Sequence, residues 1–207
     1  MNRLLRLMLL LSLFLGTLTS LWAQDNLSSW NQQRLDRNQQ AMYVLGGWAV
    51  GNLAVGAFGM AQSTGENRAF HQMNLGWNLV NLGLAASGIW TATHTDPSTL
   101  DAWESWKAYD HTQRLFLLNA GLDVGYIMAG FWMQERGKNA LKHQDRWTGF
   151  GKSLVLQGAF LMAFDIGAYW VHQPLERRFP GWKEARSSWR FHPASDSFGF
   201  ALCYQFK

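Results

Sequence analysis

The sequence NAGLDVGY, residues 119–126, places one aspartate at the centre of an apolar run. Apart from Asp123, residues 115–134 contain no Asp, Glu, Lys or Arg. A run of about 20 such residues is long enough to cross the hydrocarbon core of a bilayer as an α-helix. The stretch therefore predicts a membrane-spanning helix, and the acidic side chain within it needs a structural or a chemical reason.

Three further segments have the same character. Residues 38–65 and 69–95 contain no charged side chain, and residues 153–175 contain only Asp165. The candidate spans are residues 41–62, 70–93, 114–134 and 151–172. Because short connections place consecutive helices antiparallel, we predict an all-α, up-down four-helix bundle that crosses a membrane and covers residues 41–173.

The composition supports a membrane location. Charged residues make up 15% of the 207 residues, whereas an average soluble domain has about a quarter. The net charge of +4 comes from short loops and a tail, without an aromatic-interleaved basic stripe, so nucleic acid is not an expected partner. The expected partner is the lipid bilayer, with a second copy or another membrane protein as a further class.

The first 23 residues are predicted to be a secretory signal peptide. Arg3 and Arg6 precede an apolar stretch, and small or polar residues lead to Ala23, the pattern of such signals. An uncleaved anchor is the alternative. Either reading places the mature N-terminus and the C-terminal tail on the periplasmic face of a bacterial inner membrane. The acidic loop near residues 95–110 and the basic loop near 135–149 agree with this orientation.

The two ends of the mature chain differ in pattern. Residues 24–40 are polar, with Leu27, Trp30 and Leu35 at helical spacing, which predicts an interfacial helix, a solvated helical extension being the alternative. Residues 174–207 form a basic tail. Within this tail, FGFALCYQF at 198–206 has large apolar residues at every second position, so a terminal strand in a hairpin-like arrangement is predicted.

Each predicted span carries one strong polar group near its centre: Asn52, Asn81, Asp123 and Asp165. Such groups are costly against lipid, so we predict that they face the bundle interior, with Asn119 one turn before Asp123. Two carboxylates in a low-dielectric interior do not both stay ionised without a cation or several donors. These five residues are therefore interpreted as mainly structural contacts between helices that also form a candidate site for a proton or a cation.

Short repeats relate the spans to one another. The pattern Gly-Trp-x-x-x-Asn-Leu occurs at 47–53 and 76–82, and Asp-x-Gly occurs at 123–125 and 165–167. The glycine pairs at 47 and 51 and at 121 and 125 have the small-residue spacing typical of close helix contacts. We therefore expect helices to approach one another at those positions.

The sequence carries no common enzyme motif. It lacks Gly-x-Ser-x-Gly, a Walker loop, Cys-x-x-Cys and His-Glu-x-x-His, and no two histidines are four residues apart. No catalytic residue, cofactor or specific metal is assigned on this basis. The interpretation is a membrane protein of unassigned activity, more consistent with a non-enzyme. The alternatives are a small transporter or channel subunit that works as an oligomer, and an intramembrane enzyme that uses Asp123 and Asp165 as acid and base.

Two stretches also carry a resemblance. FHQMNLGWNLVNLGL at residues 70–84, together with LGGWAVGN at 45–52, resembles a family of uncharacterised bacterial multi-helix membrane proteins over roughly residues 38–170. That family has no assigned activity. The resemblance therefore implies a four-span architecture and a membrane location, and it assigns no catalytic residue.

Overall fold

Four α-helices make up the described part of the chain. A computed structural model describes the backbone of residues 3–180 and the side chains of residues 25–180. The helices are α1 (Arg3–Gln62), α2 (Gly65–His94), α3 (Ala102–Lys138) and α4 (Gln144–Arg177). The all-α class is confirmed for these residues. The predicted strand at 198–206 lies outside the described residues. α1 runs without a break from Arg3, which does not show whether the chain is cleaved after residue 23, so the signal peptide stays a prediction.

The start of α3 is fixed by the residues that immediately precede it and by its first turn. α3 begins with a capping box in which Asp101 Oδ1 accepts from the Glu104 amide at 2.8 Å. The Glu104 carboxylate in turn accepts from the Asp101 amide at 3.2 Å. Two amides that helix geometry would leave unpaired are thereby satisfied, which fixes the start of α3.

The helices pack as two antiparallel hairpins, α1 with α2 and α3 with α4. In the first hairpin, Gly46 lies opposite Ala85. In the second, the rings of Phe116 and Phe164 meet edge to face with centroids 6.4 Å apart. The antiparallel order predicted from short connections is therefore present within each hairpin.

The hairpins meet through α2 and α4, which run parallel. Near their starts Lys152 Nζ pairs with Glu66 Oε1 at 2.5 Å. α3 follows α2 in the chain but contacts it chiefly through the rings of Trp77 and Tyr126, whose centroids are 4.8 Å apart. Residues 95–101 are long enough to cross a diagonal of the bundle, because an extended residue spans about 3.3 Å. A simple up-down bundle would make every pair of consecutive helices neighbours. Here α2 and α3 are consecutive but do not pack side by side.

The distribution of side chains is inverted relative to a water-soluble protein. The buried polar or charged residues are Asn31, Arg34, Asn74, Asn78, Asn81, Ser105, Gln113, Asp123, Ser153, Gln157, Asp165 and His172. Large apolar side chains such as Val50, Phe58, Leu79, Leu118 and Phe131 are more than half exposed. A surface of this kind is unfavourable in water and suits contact with lipid.

Three helices are long and apolar enough to cross a membrane: α1 over Asp25–Gln62, α3 over Ala102–Lys138 and α4 over Gln144–Arg177. α2, the second predicted span, is not among them. The reason lies in Asn74, Asn78 and Asn81, which lower its mean hydropathy although all three side chains are buried. Its outward positions carry apolar residues such as Leu79 and Leu84.

The prediction that helices approach one another at the spaced glycines is wrong. An added Cβ would meet nothing within 4 Å at Gly47, Gly51, Gly121 or Gly125. These glycines lie two residues on either side of buried Ala49 or buried Asp123, and residues two apart point about 200° away from each other on a helix. Burial of the central residue therefore turns both glycines outward.

A close helix contact lies elsewhere, between α3 and α4. A Cβ on Gly130 would stand 2.7 Å from the Gly151 carbonyl oxygen, and one on Gly151 would stand 2.5 Å from the Gly130 carbonyl oxygen. Real Cβ atoms essentially never approach another atom this closely. The two backbones are thus in direct contact, an approach that only residues without a side chain permit.

The polar segment 24–40 belongs to α1 and packs against the ends of α3 and α4. Leu27 and Trp30 form a buried cluster with Tyr109, Leu175 and Phe179. The indole of Trp30 donates to the Leu175 carbonyl at 2.9 Å. This segment therefore joins the core at one end of the bundle, while its predicted location at the membrane interface stays a prediction.

Candidate functional site

Asp123 of α3 and Asp165 of α4 meet inside the bundle. Their side chains are 2% and 4% exposed, and their carboxyl groups are within hydrogen-bonding contact. A hydrogen bond between two carboxyl groups requires that one of them carry a proton, because ionised carboxylates only accept. The Asn119 amide, one turn before Asp123, also bonds to Asp165.

The contact depends on the close approach of the two helices. A Cβ on Gly158 would lie 3.0 Å from the Asp123 carbonyl oxygen, so α4 presents bare backbone to α3 at this level. Oδ2 of the Asp123 carboxyl group is buried and accepts no hydrogen bond from an N–H or hydroxyl group of the described residues. A buried polar atom without a partner is costly. Binding of a proton or cation at Oδ2 would therefore stabilise this buried atom.

The predicted site residues separate into two groups. The structure brings Asp123, Asp165 and Asn119 together. In contrast, the Asn52 amide donates to the Trp48 carbonyl of its own helix at 2.9 Å. Asn81 donates to Asn78 Oδ1 at 3.4 Å. Asn52 and Asn81 thus have hydrogen-bond partners other than the carboxyl pair, and ligand binding by that pair stays a prediction.

Asn52 and Asn81 adjoin a second polar cluster, centred on Asn74. Asn74 Oδ1 accepts from Gln157 Nε2 at 2.5 Å and from Asn78 Nδ2 at 3.1 Å. Its own amide donates to the Asn52 carbonyl at 3.1 Å, and the Trp48 indole donates to Gln157 Oε1 at 3.0 Å. This network, which we call the amide network, joins α1, α2 and α4 by side chains that carry no charge.

Sequence reasoning missed Gln157 because the spans were found by searching for charges. A signal was present, however. Ser153 and Gln157 are one helical turn apart in an otherwise apolar run, and both are fully buried. Two polar residues at that spacing mark the inward face of α4.

Another polar region, also missed, lies where α1 passes the ends of α3 and α4. Arg34 is only 5% exposed, and its Nε has no hydrogen-bond partner among the described residues. Nearby, His172 Nε2 is 2.8 Å from Asn38 Oδ1, and Arg37 donates to the Val171 carbonyl. The ion pairs of the described residues all involve other side chains. Among the side chains that the structure describes, Arg34 is thus a buried cation without a carboxylate partner.

Replacing Arg34 by methionine is expected to raise the free energy of unfolding by about 1 to 2 kcal/mol. Methionine keeps the long stem and removes a buried, unpaired charge that is costly to desolvate. The measurement is equilibrium unfolding in mixed detergent micelles. The exposed Arg68→Met on α2 serves as control and should stay within about 0.5 kcal/mol of the wild type. A marked loss of stability in Arg34→Met alone would show that Arg34 has a favourable partner.

The loop at residues 95–101 holds a fixed negative charge. Asp96 Oδ1 accepts from the Ser98 hydroxyl at 2.6 Å and from the Ser98 amide at 2.8 Å. These hydrogen bonds lower the pKa of the Asp96 carboxyl group below its ordinary value, and the bond from the Ser98 hydroxyl contributes most. Asp96 therefore stays ionised at neutral pH, in keeping with the acidic character expected for an outer loop.

The described side chains offer no ready site for a transition metal. No group of three or more His, Cys, Asp or Glu side chains lies close enough together in that part of the chain. The carboxyl pair supplies only oxygen atoms, the ligands that hard cations prefer.

Comparison with known families identifies the family of this chain, and that family has no assigned activity. A model described as a family of unknown function, DUF6992, matches residues 44–166, more than half of the chain. The chain belongs to this family. The match begins within α1 and ends just after Asp165, so it includes both the carboxyl pair and the amide network and leaves out Arg34. No curated protein and no solved structure matches the chain. The expected lack of an assigned activity agrees with the family description.

Proposed function

We propose that this DUF6992 protein is an integral membrane protein with four spans, in which the Asp123–Asp165 pair holds a proton. The inverted distribution of side chains supports the membrane location. It also supports a fourth crossing by α2, because the asparagines that lower its mean hydropathy face α1 and α4 while apolar residues face outward. Polar groups satisfied inside a bundle are compatible with a span.

The orientation follows from the loops. The end of the bundle that carries residues 95–101 is placed on the periplasmic face of a bacterial inner membrane. The end that carries residues 139–143 is placed on the cytoplasmic face, since basic residues surround that connection and basic loops stay on the inner side.

The observation that carries the proton site is the contact between two buried carboxyl groups, one of which has an oxygen without a partner. A proton fits better than a metal ion, because one proton both permits the carboxyl–carboxyl hydrogen bond and halves the buried charge. Loss of that proton would place two negative charges in contact across α3 and α4. The separation of these helices is therefore linked to proton binding, and the protein is a proton-responsive membrane component without an enzymatic role.

The test is the infrared absorption of protonated carboxyl groups in protein reconstituted into lipid vesicles. At neutral pH the wild type is expected to show the C=O band of a protonated carboxylic acid. The band should vanish in the double variant Asp123→Asn with Asp165→Asn, whose amides resemble the protonated acid in shape and still bond to each other. The exposed Asp36→Asn is the control and should leave the band unchanged. A folded wild type without the band would refute the proposal.

A pH series of thermal unfolding in detergent gives a second readout. Raising the pH is expected to lower the midpoint of the wild type, because deprotonation creates repulsion between Asp123 and Asp165. The Asp165→Asn variant should lose much of this pH dependence while it stays folded. Equal pH dependence in the two proteins would assign a purely structural role to the pair.

A further inference from the structure

We propose that a groove at the cytoplasmic end of the α3–α4 hairpin binds an anionic phospholipid. The groove has a volume of about 270 Å³ and is lined by Met133, His143, Arg146, Trp147 and Phe150. It lies where α3 ends and α4 begins, far along both helices from the carboxyl pair. The inference rests on the membrane location proposed above and is independent of the proton site.

The polar side of the groove is cationic. The Arg146 guanidinium lies over the Phe150 ring, 5.1 Å from its centroid, and takes part in none of the ion pairs of the described residues. The two nearest acids in sequence are turned elsewhere. Glu135 accepts from Lys138 Nζ at 2.7 Å, and Asp145 Oδ2 lies beside Gly65 at the start of α2. Arg146 is thus a cation available to an anion, and its planar fork suits the oxygens of a phosphate group.

The other side of the groove is apolar and aromatic. Met133, Trp147 and Phe150 line it, and Trp147 meets Trp132 edge to face with ring centroids 5.7 Å apart. Indole rings favour the level at which lipid headgroups join the acyl chains. A cation above an apolar wall complements a phosphate that is followed by a hydrocarbon chain, whereas a free phosphate would leave that wall uncovered.

The surrounding charge favours an anionic lipid over a neutral one. Residues 135–146 contain four basic side chains, Arg136, Lys138, Lys142 and Arg146, and two acidic ones, Glu135 and Asp145. A basic segment next to a span is attracted to the anionic cytoplasmic leaflet. This general attraction concentrates the lipid, and Arg146 within the groove gives it a defined position.

The experiment measures retention of phosphatidylglycerol by the full-length protein. The protein is reconstituted in nanodiscs of phosphatidylcholine mixed with phosphatidylglycerol, released into mild detergent and examined by native mass spectrometry. The wild type is expected to keep bound phosphatidylglycerol and little phosphatidylcholine. Arg146→Gln should weaken that retention about tenfold, the effect of losing one charge-assisted hydrogen bond. Size-exclusion chromatography checks that the variant stays folded.

The matched control is Arg68→Gln, which removes an exposed arginine at the same end of the bundle but outside the groove. It should retain phosphatidylglycerol as the wild type does. An equal loss of phosphatidylglycerol retention in both variants would show that any surface arginine has this effect through its charge alone, and it would overturn the proposal. Displacement of the lipid by added inorganic phosphate would overturn it too, since it would show that the anion alone is recognised. Failure to enter nanodiscs would refute the membrane location, whereas loss of the infrared band would refute only the proton site.

Discussion

Replacing Gly130 by alanine is expected to lower the free energy of unfolding by about 3 kcal/mol. The new Cβ would stand 2.7 Å from the Gly151 carbonyl oxygen and 2.9 Å from the Val155 amide nitrogen. Both are backbone atoms, so no side-chain rotation can relieve the overlap. α3 and α4 would have to separate, and overpacking of this kind costs about 1 to 3 kcal/mol before the loss of neighbouring contacts is counted. Equilibrium unfolding in mixed micelles measures the change.

Gly125→Ala on the same helix is the matched control. An added Cβ there meets nothing within 4 Å, and alanine is a better helix former than glycine by up to about 1 kcal/mol. Gly125→Ala should therefore be neutral or slightly stabilising. If both alanine variants behaved alike, the close contact between α3 and α4 would not exist in the folded protein.

Replacing Asn74 by leucine is expected to cost about 3 kcal/mol. Asn74 Oδ1 accepts from Gln157 and Asn78, and its amide donates to the Asn52 carbonyl. Leucine is similar in size and removes all three bonds. The buried Gln157 amide then loses its acceptor, at about 1 to 3 kcal/mol, whereas the Asn78 amide keeps its bond to the Asn74 backbone carbonyl at 2.8 Å. The same unfolding assay applies, with the exposed Gln72→Leu on the same helix as control.

A double substitution sharpens this test. If the cost of Asn74→Leu arises from the orphaned Gln157 amide, then Gln157→Leu should cost less stability in the Asn74→Leu background than in the wild type, because only the wild type loses the bond between the two side chains. The Trp48 indole loses its acceptor in both backgrounds. Strictly additive losses would show that the hydrogen bond between Asn74 and Gln157 contributes little.

The sequence determines the helices more directly than it determines their neighbours. Runs without charges locate α1 to α4, because a chain must satisfy its backbone polar groups within each helix to enter lipid. The burial of Asp123 follows from the cost of exposing an acid to lipid. The adjacency of α2 and α4 does not follow, since it depends on a bond between Asn74 and Gln157 that no local pattern specifies.

The glycine contacts fail for a related reason. The spacing of Gly121 and Gly125 shows that they share a face, and only knowledge of which way Asp123 points shows that this face is the outer one. The contact of Gly130 with Gly151 involves one glycine from each helix. Neither glycine has another four residues away on its own helix, so the four-residue spacing used for the prediction does not find this contact.

The position of Gln157 in α4 has a consequence for biosynthesis. A chain is made from its N-terminus, so α2 leaves the ribosome 83 residues ahead of the glutamine that completes the bonding of Asn74. In that interval Asn74 has only the first hairpin to bond with. In the proposed four-span topology, we therefore expect the nascent α2 to stay near the insertion machinery or at the membrane surface until α4 arrives. Arrival of the last helix, and not synthesis of α2 itself, would then complete the entry of α2 into the bilayer.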